Sequence, residues 1–435
     1  MASDNIAKYV ANRAKSLQPS PIRKLVPLMR RPGMISFGGG YPNPSTFAFA
    51  QIDVAFSDGS KASVDGDDMS SACQYGPTDC DAALRPLLIE WHKHKDGVTL
   101  KPDQIQVLNG SQEGLHIAGY LFLNHGDAVA LSEPAYPGAL GAFRAFTNNF
   151  VSFPIDEHGS NTTALEQILS DRVDRGEPIP KLLYEVPNGH NPAGVALSLD
   201  RRHHLLKIAS RFDILIIEDD PYQLVKLDDR PPLPTLQSLG AENTDTENRV
   251  IRLDSFSKIF APGLRVGYAS GPATFIRLFE LYKQTTNLHT SSMVQMLLTK
   301  YMKSHPPDEF RARIKTNCEL YRRNRDAMVR AAKEFLPSSV KFHVPTEGMF
   351  IWFRLPEGLD AQHMVENDGL ELGILLVPGS AFSSCGGLSN CMRASFSMID
   401  ADAVVEGMRR FGTMVHRHLH VAKPGGEKPV PKSGA

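Results

Sequence analysis

In this 435-residue chain, the first residues whose types and spacing could do chemistry surround a lysine. In VIRLDSFSKIFAPGLRVGY, residues 250–268, Ser255, Ser257 and Lys258 follow a short apolar run. Arg265 comes seven residues after the lysine, beyond a Pro262-Gly263 turn. A lysine at the end of a buried strand is partly desolvated, which favours its neutral, nucleophilic amine. The hydroxyls and guanidinium around it make a cationic, donor-rich pocket suited to a phosphate. Amine plus phosphate pocket points to a phosphorylated aldehyde held as a Schiff base, which is how pyridoxal phosphate is carried. A surface lysine in a serine-rich loop would give the same string, so this stretch alone leaves both readings open.

The elements that must position such groups show an α/β rhythm from about residue 104. QIQVLNG, DAVALSEP, FVSFPI, KLLYEVP, DILIIEDD and VIRLDS read as strands, separated by helical stretches such as GSQEGLHIAGYLFL and SLDRRHHLLKIASRF. Apolar strands alternating with helices indicate a mostly parallel sheet flanked by helices, which binds ligands at the carboxyl ends of its strands. Gly110, Ser111 and Gln112 open the helix after the first strand, where free N–H groups attract an anion; an ordinary serine N-cap reads the same way. Tyr136, in PAYP, places a ring at a strand end, for stacking on a flat cofactor or for core packing. Asn191 lies in the NGHNPAG turn, whose glycines and prolines turn chemistry explains without a ligand. Asp219 and Asp220, followed by Pro221 and Tyr222, end a strongly apolar strand, and a buried carboxylate there needs a partner. A protonated pyridine nitrogen would serve, as would a helix cap or salt bridge. A metal pair is disfavoured, because no histidine or further carboxylate sits nearby at ligand spacing.

Composition narrows the class. A 42% hydrophobic, 22% charged chain of net charge −1 is an ordinary globular protein with nothing overall to recruit nucleic acid or a membrane surface. Cys73, Cys80, Cys318, Cys385 and Cys391 are odd in number and lack C-x-x-C spacing, which argues for free thiols in a reducing compartment. With no signal-peptide core and no membrane-length apolar run, a cytoplasmic location is expected. Residues 1–50 are expected to join a smaller domain, with an irregular turn at Gly38 to Gly40 and a polar loop over 55–73. Residues 51–300 form the large domain, 301–420 a smaller α+β domain, and 421–435 a disordered tail rich in Pro, Gly and Lys. His416, His418 and His420 close a helix rather than bind metal, so no metal site is expected.

Four motifs, NPAG, EDDPY, SFSKIFAPGLRVGY and MRASFS, in this order and spacing, resemble the class I/II fold-type I aminotransferases. The likeness, from about residue 33 to 415, is to the branch holding the aromatic, 2-aminoadipate and kynurenine enzymes. It implies a fold-type I pyridoxal 5'-phosphate transferase, with Lys258 as the Schiff-base lysine and Asp219 as partner of the ring nitrogen. Asn191 and Tyr222 would hold the phenolate oxygen, Tyr136 would stack on the ring, and Ser111, Gln112, Ser255, Ser257 and Arg265 would hold the phosphate. Arg393 would grip the substrate α-carboxylate, with Gly40 lining the substrate side. Tyr75 would reach the neighbouring subunit's site, making the active unit a homodimer. The departure is NPAG where the family usually has NPTG; Asn191 is kept. The implied function is transfer of an amino group between an aromatic, kynurenine or 2-aminoadipate type amino acid and a 2-oxo acid. The alternative is a carbon–sulfur β-lyase of a natural-product pathway using the same site, mildly favoured by the lack of long insertions found in some housekeeping relatives. A transcriptional regulator is set aside, because only about thirty residues precede the similarity and they carry no helix-turn-helix.

Overall fold

The computed structural model describes residues 6–23, 25, 33–35, 40–242, 246 and 248–421. The expected turn at Gly38 and Gly39 and nearly all of the expected tail lie outside them.

Eight strands make one sheet: β3 (Ile105–Leu108), β4 (Val129–Glu133), β5 (Phe150–Asp156), β6 (Gly159–Ser160), β7 (Leu182–Glu185), β8 (Leu215–Asp219), β9 (Val250–Ser255) and β10 (Gly267–Ser270). They lie in the order β3-β10-β9-β8-β7-β4-β5-β6. The run from β9 through β5 is parallel, while β10 lies antiparallel between β3 and β9. Every residue of β7, β8 and β9 is buried, the pattern of strands covered on both faces. The crossovers end β4, β7, β8 and β9 on one edge, so Glu133, Glu185, Asp219 and Ser255 share the carboxyl end of the sheet.

Two stretches differ from the sequence reading. Residues 55–73, expected as a loop, hold strand β2 (Lys61–Asp65), paired with β1 (Gln51–Ala55) in a hairpin, and helix α1 (Gly66–Cys73). Val64, Met69 and Ala72 form a small satellite core with Met296; polar residues between these apolar ones hide the alternation. Of the first fifty residues, Tyr9 and Ala14 pack in the large sheet's core rather than with the small unit. Lys8, Tyr9 and Arg249 converge there on Asp213.

The second unit is a four-stranded antiparallel sheet, β11 (Lys341–Phe342), β12 (Phe350–Arg354), β13 (Val377–Pro378) and β14 (Cys391–Ser395), in the order β11-β12-β14-β13. Ile351, Phe353, Met392, Met408 and Phe411 form its core. Packing is edge-on where the Phe353 and Phe411 rings meet, 5.3 Å apart at 74°. Here β12 carries Phe350 and β14 carries Arg393, so this sheet delivers those side chains to the carboxyl edge of the larger one.

Candidate active site

Local backbone builds the anion end first. Gly110, with φ 77° and ψ 164°, precedes the helix Ser111–Phe122 in a conformation essentially reserved for glycine. A Cβ at Gly110 would stand 2.5 Å from Nη2 of Arg265, so the guanidinium lies directly over this backbone. Arg265 is itself left-handed (φ 54°) and donates to the Ser257 hydroxyl at 3.3 Å and to the Asn109 carbonyl at 3.4 Å. Ser255 Oγ accepts the Ser257 N–H at 3.1 Å. Gln112 donates to the Gly138 carbonyl at 2.8 Å, and a Cβ at Gly138 would meet the Tyr136 ring at 2.4 Å. Ser111, Gln112, Tyr136, Ser255, Ser257 and Arg265 therefore come together. A helix N-terminus, hydroxyls and one guanidinium form a cradle with the donor set a phosphate requires.

The acidic end is deeper. Asp219 is buried at the end of β8, and Tyr184 Oη donates to its Oδ2 at 3.0 Å. Its Oδ1 meets no hydrogen-bond donor among the described residues. Burial, then Asp220, pushes this carboxyl up to about 7, against the hydrogen bond from Tyr184 and the influence of the nearby Ser111 hydroxyl. Behind it, buried Arg252 lies 3.0 Å from both Glu218 and Asp220, and Asn188 donates to Asp220 at 2.7 Å. Arg202 donates to Asn188 Oδ1 at 2.7 Å and to the Pro187 carbonyl at 3.1 Å, fixing the turn that carries Asn191.

Arg393 completes the constellation. Its Nη1 donates to Asn191 Oδ1 at 2.9 Å, and its guanidinium lies over Phe350, 4.3 Å from the ring centroid, and Phe382, at 5.1 Å. Its buried Nε finds no acceptor among the described residues. A guanidinium sandwiched on rings with donors to spare is built for an anion from outside the chain. Tyr222 is buried and hydrogen-bonded with Asn191; burial, then Asp219, raises its phenol. Burial, then the charges of Arg393 and Arg265, hold the Lys258 amine below the ordinary lysine value. Burial, then the Asp219 charge, raises the Tyr136 phenol, and Arg265 and Arg393 oppose them.

Two expected residues stand apart. Tyr75 is 47% exposed, its ring 6.0 Å from that of Tyr41 and 6.2 Å from that of His289. Gly40 is exposed, and a Cβ there would touch nothing within 4 Å. Two others emerge only from the structure. Tyr184 pairs with Ile217, and Asp219 lies two residues further along the same face, a diagonal that a phenol spans. A lone tyrosine in the apolar KLLYEVP run was the available signal. Glu133, at the end of β4, accepts from the Ser383 hydroxyl (2.5 Å), the Ser384 N–H (3.0 Å) and the Ser384 hydroxyl (2.8 Å). Next to this clasp, the Ala135 N–H donates to the Phe382 carbonyl at 2.9 Å.

The buried trio His92, Asp96 and Asp254 also gathers ligand-type atoms within 4.8 Å of one another. Lys95 lies 2.9 Å from Asp254 and Arg252 3.1 Å from it, so protein cations already balance these carboxylates. His418 pairs with Asp368 at 2.6 Å.

A buried acceptor without a donor among the described residues, a lysine amine held low and a phosphate-type cradle at the ends of neighbouring strands fit a phosphorylated pyridine aldehyde. Known proteins agree with that fit. Residues 48–411 match the family described as aminotransferase class I and II. Aromatic-amino-acid aminotransferase 1 of Thermococcus litoralis is 34% identical over 412 residues, 95% of each chain. The mitochondrial kynurenine/alpha-aminoadipate aminotransferase of Mus musculus is 32% identical over 434 residues, 95% of this chain and 100% of its own. Among solved structures, the Pyrococcus horikoshii kynurenine aminotransferase in complex with PMP, KYN and KYA superposes with a TM-score of 0.75 at 33% identity, covering 95% of this chain and 98% of its own.

Proposed function

This chain belongs to the aminotransferase class I and II family, a pyridoxal-phosphate-dependent transaminase, and on that premise we propose which residues do the work and on which amino acids. The donor is an aromatic amino acid, kynurenine or 2-aminoadipate, and the acceptor a 2-oxo acid; the aromatic and kynurenine/alpha-aminoadipate aminotransferases among its relatives support this choice. Nothing in the comparisons favours the carbon–sulfur lyase.

Bound pyridoxal phosphate supplies an aldehyde carbon for the amino group and a protonated ring that withdraws electrons from the substrate Cα. Ser111, Gln112, Ser255, Ser257 and Arg265 hold its phosphate, Tyr136 covers its ring, and Asn191 with Tyr222 faces the phenolic oxygen. Asp219 keeps the ring nitrogen protonated. Arg393 pairs with the substrate α-carboxylate in a planar fork, which fixes the direction of the Cα–H bond. Lys258, its amine held below the ordinary lysine value, carries the proton from that Cα. The observation that carries this reading is buried Asp219, its Oδ1 without a hydrogen-bond donor among the described residues, at the end of β8 beside β9, the strand that leads into Lys258 and the Arg265 cradle.

The working unit is a homodimer, with Tyr75 entering the neighbour's site and Gly40 lining the substrate side; the exposure of Tyr75 in the single chain supports this. The five cysteines are free and no described helix is long and apolar enough to cross a membrane, which supports a cytoplasmic enzyme.

The experiment offers the holoenzyme kynurenine, 2-aminoadipate and aromatic amino acids, and separately cysteine conjugates. Accumulation of the pyridoxamine form with the first set is expected. Release of thiol and ammonia with the second set, without pyridoxamine, would replace transamination by elimination. Lys258→Ala should abolish turnover, and activity near wild type would remove Lys258 from its role.

A further inference from the structure

Among the described residues, one buried hydroxyl beneath the site has a single partner. Tyr184 sits in the middle of the sheet with its ring edge-on to Phe143, 5.9 Å apart at 71°. Packing at this position needs only the ring, and phenylalanine would supply it. A buried hydroxyl must find a partner, and this one donates to Asp219 Oδ2 at 3.0 Å. That bond leaves Oδ1 as the open acceptor.

We propose that Tyr184 is a positioning residue for the cofactor's ring nitrogen: its hydroxyl occupies Oδ2 of Asp219, fixes the carboxylate's orientation and favours its ionised form, so that Oδ1 receives a protonated pyridine. Three observations bear on the charge. Burial drives the Asp219 carboxyl toward protonation, and Asp220 next to it pushes the same way. A protonated Asp219 cannot pair with a pyridinium, so something must oppose burial, and the hydrogen bond from Tyr184 is the largest opposing influence. Tyr184 itself stays a phenol, because burial and the Asp219 charge raise its pKa well above the ordinary value. It therefore keeps its proton, and remains a donor, where the Asp219 carboxylate is ionised. Arg252 adds charge from behind, but it faces Asp220 and Glu218, whereas Tyr184 touches Asp219 directly.

This inference rests on the pyridoxal-phosphate reading and can fail separately from it. The test measures binding of pyridoxal phosphate, isotope-labelled at its ring nitrogen, to the wild type, Tyr184→Phe, Asp219→Asn and the double variant. Losing a hydrogen bond to a charged group should weaken cofactor affinity roughly tenfold to a hundredfold in Tyr184→Phe. The ring-nitrogen resonance should move toward that of an unprotonated pyridine, which a packing defect would not cause. If Tyr184 acts through Asp219, the double variant binds no worse than Asp219→Asn alone. A resonance unmoved in Tyr184→Phe, or losses that add in full, would overturn the proposal. A ring-fluorinated tyrosine at 184 keeps the shape and strengthens the donor, and it gives an independent arm should Tyr184→Phe not fold. It should hold the resonance at the protonated position, and a shift the other way sinks the idea. Failure of the wild type to bind the cofactor would instead remove the underlying reading.

Discussion

Asp219 is where single-residue chemistry is most exposed to measurement. Its folded-state pKa of about 7 lies above the unfolded value of about 3.9. Between those values the folded chain binds the extra proton, so this residue withdraws stability from the cofactor-free protein as pH rises through that window. Asp219→Asn has no charge to bury. Its thermal midpoint without cofactor should gain on the wild type's as pH goes from 5 to 8, by several degrees, and saturating pyridoxal phosphate should erase or reverse that gain. A midpoint difference flat with pH would mean the carboxylate is not strained. Arg393 gives a second residue-scale outcome. Lysine keeps the charge but not the fork, nor the stacking on Phe350 and Phe382. Steady-state kinetics of Arg393→Lys should show KM for the amino acid raised roughly tenfold to a hundredfold, while affinity for the cofactor stays near wild type.

At the scale of elements, glycine decides whether the anion cradle closes. Gly110→Ala forces a side-chain carbon into a glycine-only conformation and against the Arg265 guanidinium. Folding stability should fall by about 1–3 kcal/mol, with cofactor affinity reduced because the guanidinium must move aside. Urea unfolding and a cofactor titration check the two effects separately. The same elements show what the sequence could disclose. Strands β4, β7, β8 and β9 are buried along almost their whole length, so they stand out as apolar runs whose ends name Asp219 and Ser255 directly. Arg393 and Asn191 were recognisable from the motifs around them, yet their hydrogen bond joins residues two hundred positions apart, and no local pattern encodes it. Strand β10 escaped notice because four residues, two of them Gly267 and Ser270, carry little strand signal. The hairpin at residues 51–65 escaped because its partly exposed faces interleave Asp, Ser and Lys with Ile and Val. Tyr184 was hidden for the opposite reason: it looks like any core aromatic until the register of β7 on β8 aims it at Asp219.

For the whole molecule, the proposed dimer makes a prediction that no isolated chain can satisfy. If Tyr75 serves the neighbouring site, chains carrying Lys258→Ala and chains carrying Tyr75→Ala should complement each other when mixed and allowed to exchange. One site of each hybrid then receives both an intact lysine and an intact tyrosine. Activity of the mixture above the sum of its parts is expected; simple additivity would place Tyr75 outside the site.

The grip of Glu133 on Ser383 and Ser384 has a consequence at this scale. It fastens the strand end leading to Tyr136 onto the segment that carries Phe382 under Arg393. On the proposed roles, the platform for the ring and the clamp for the carboxylate are thus geared together, like the two jaws of a caliper locked at one setting. On the proposed reading every amino acid that enters is gauged identically from its α-carbon to its carboxylate, so choosing among side chains falls to surfaces beyond the jaws.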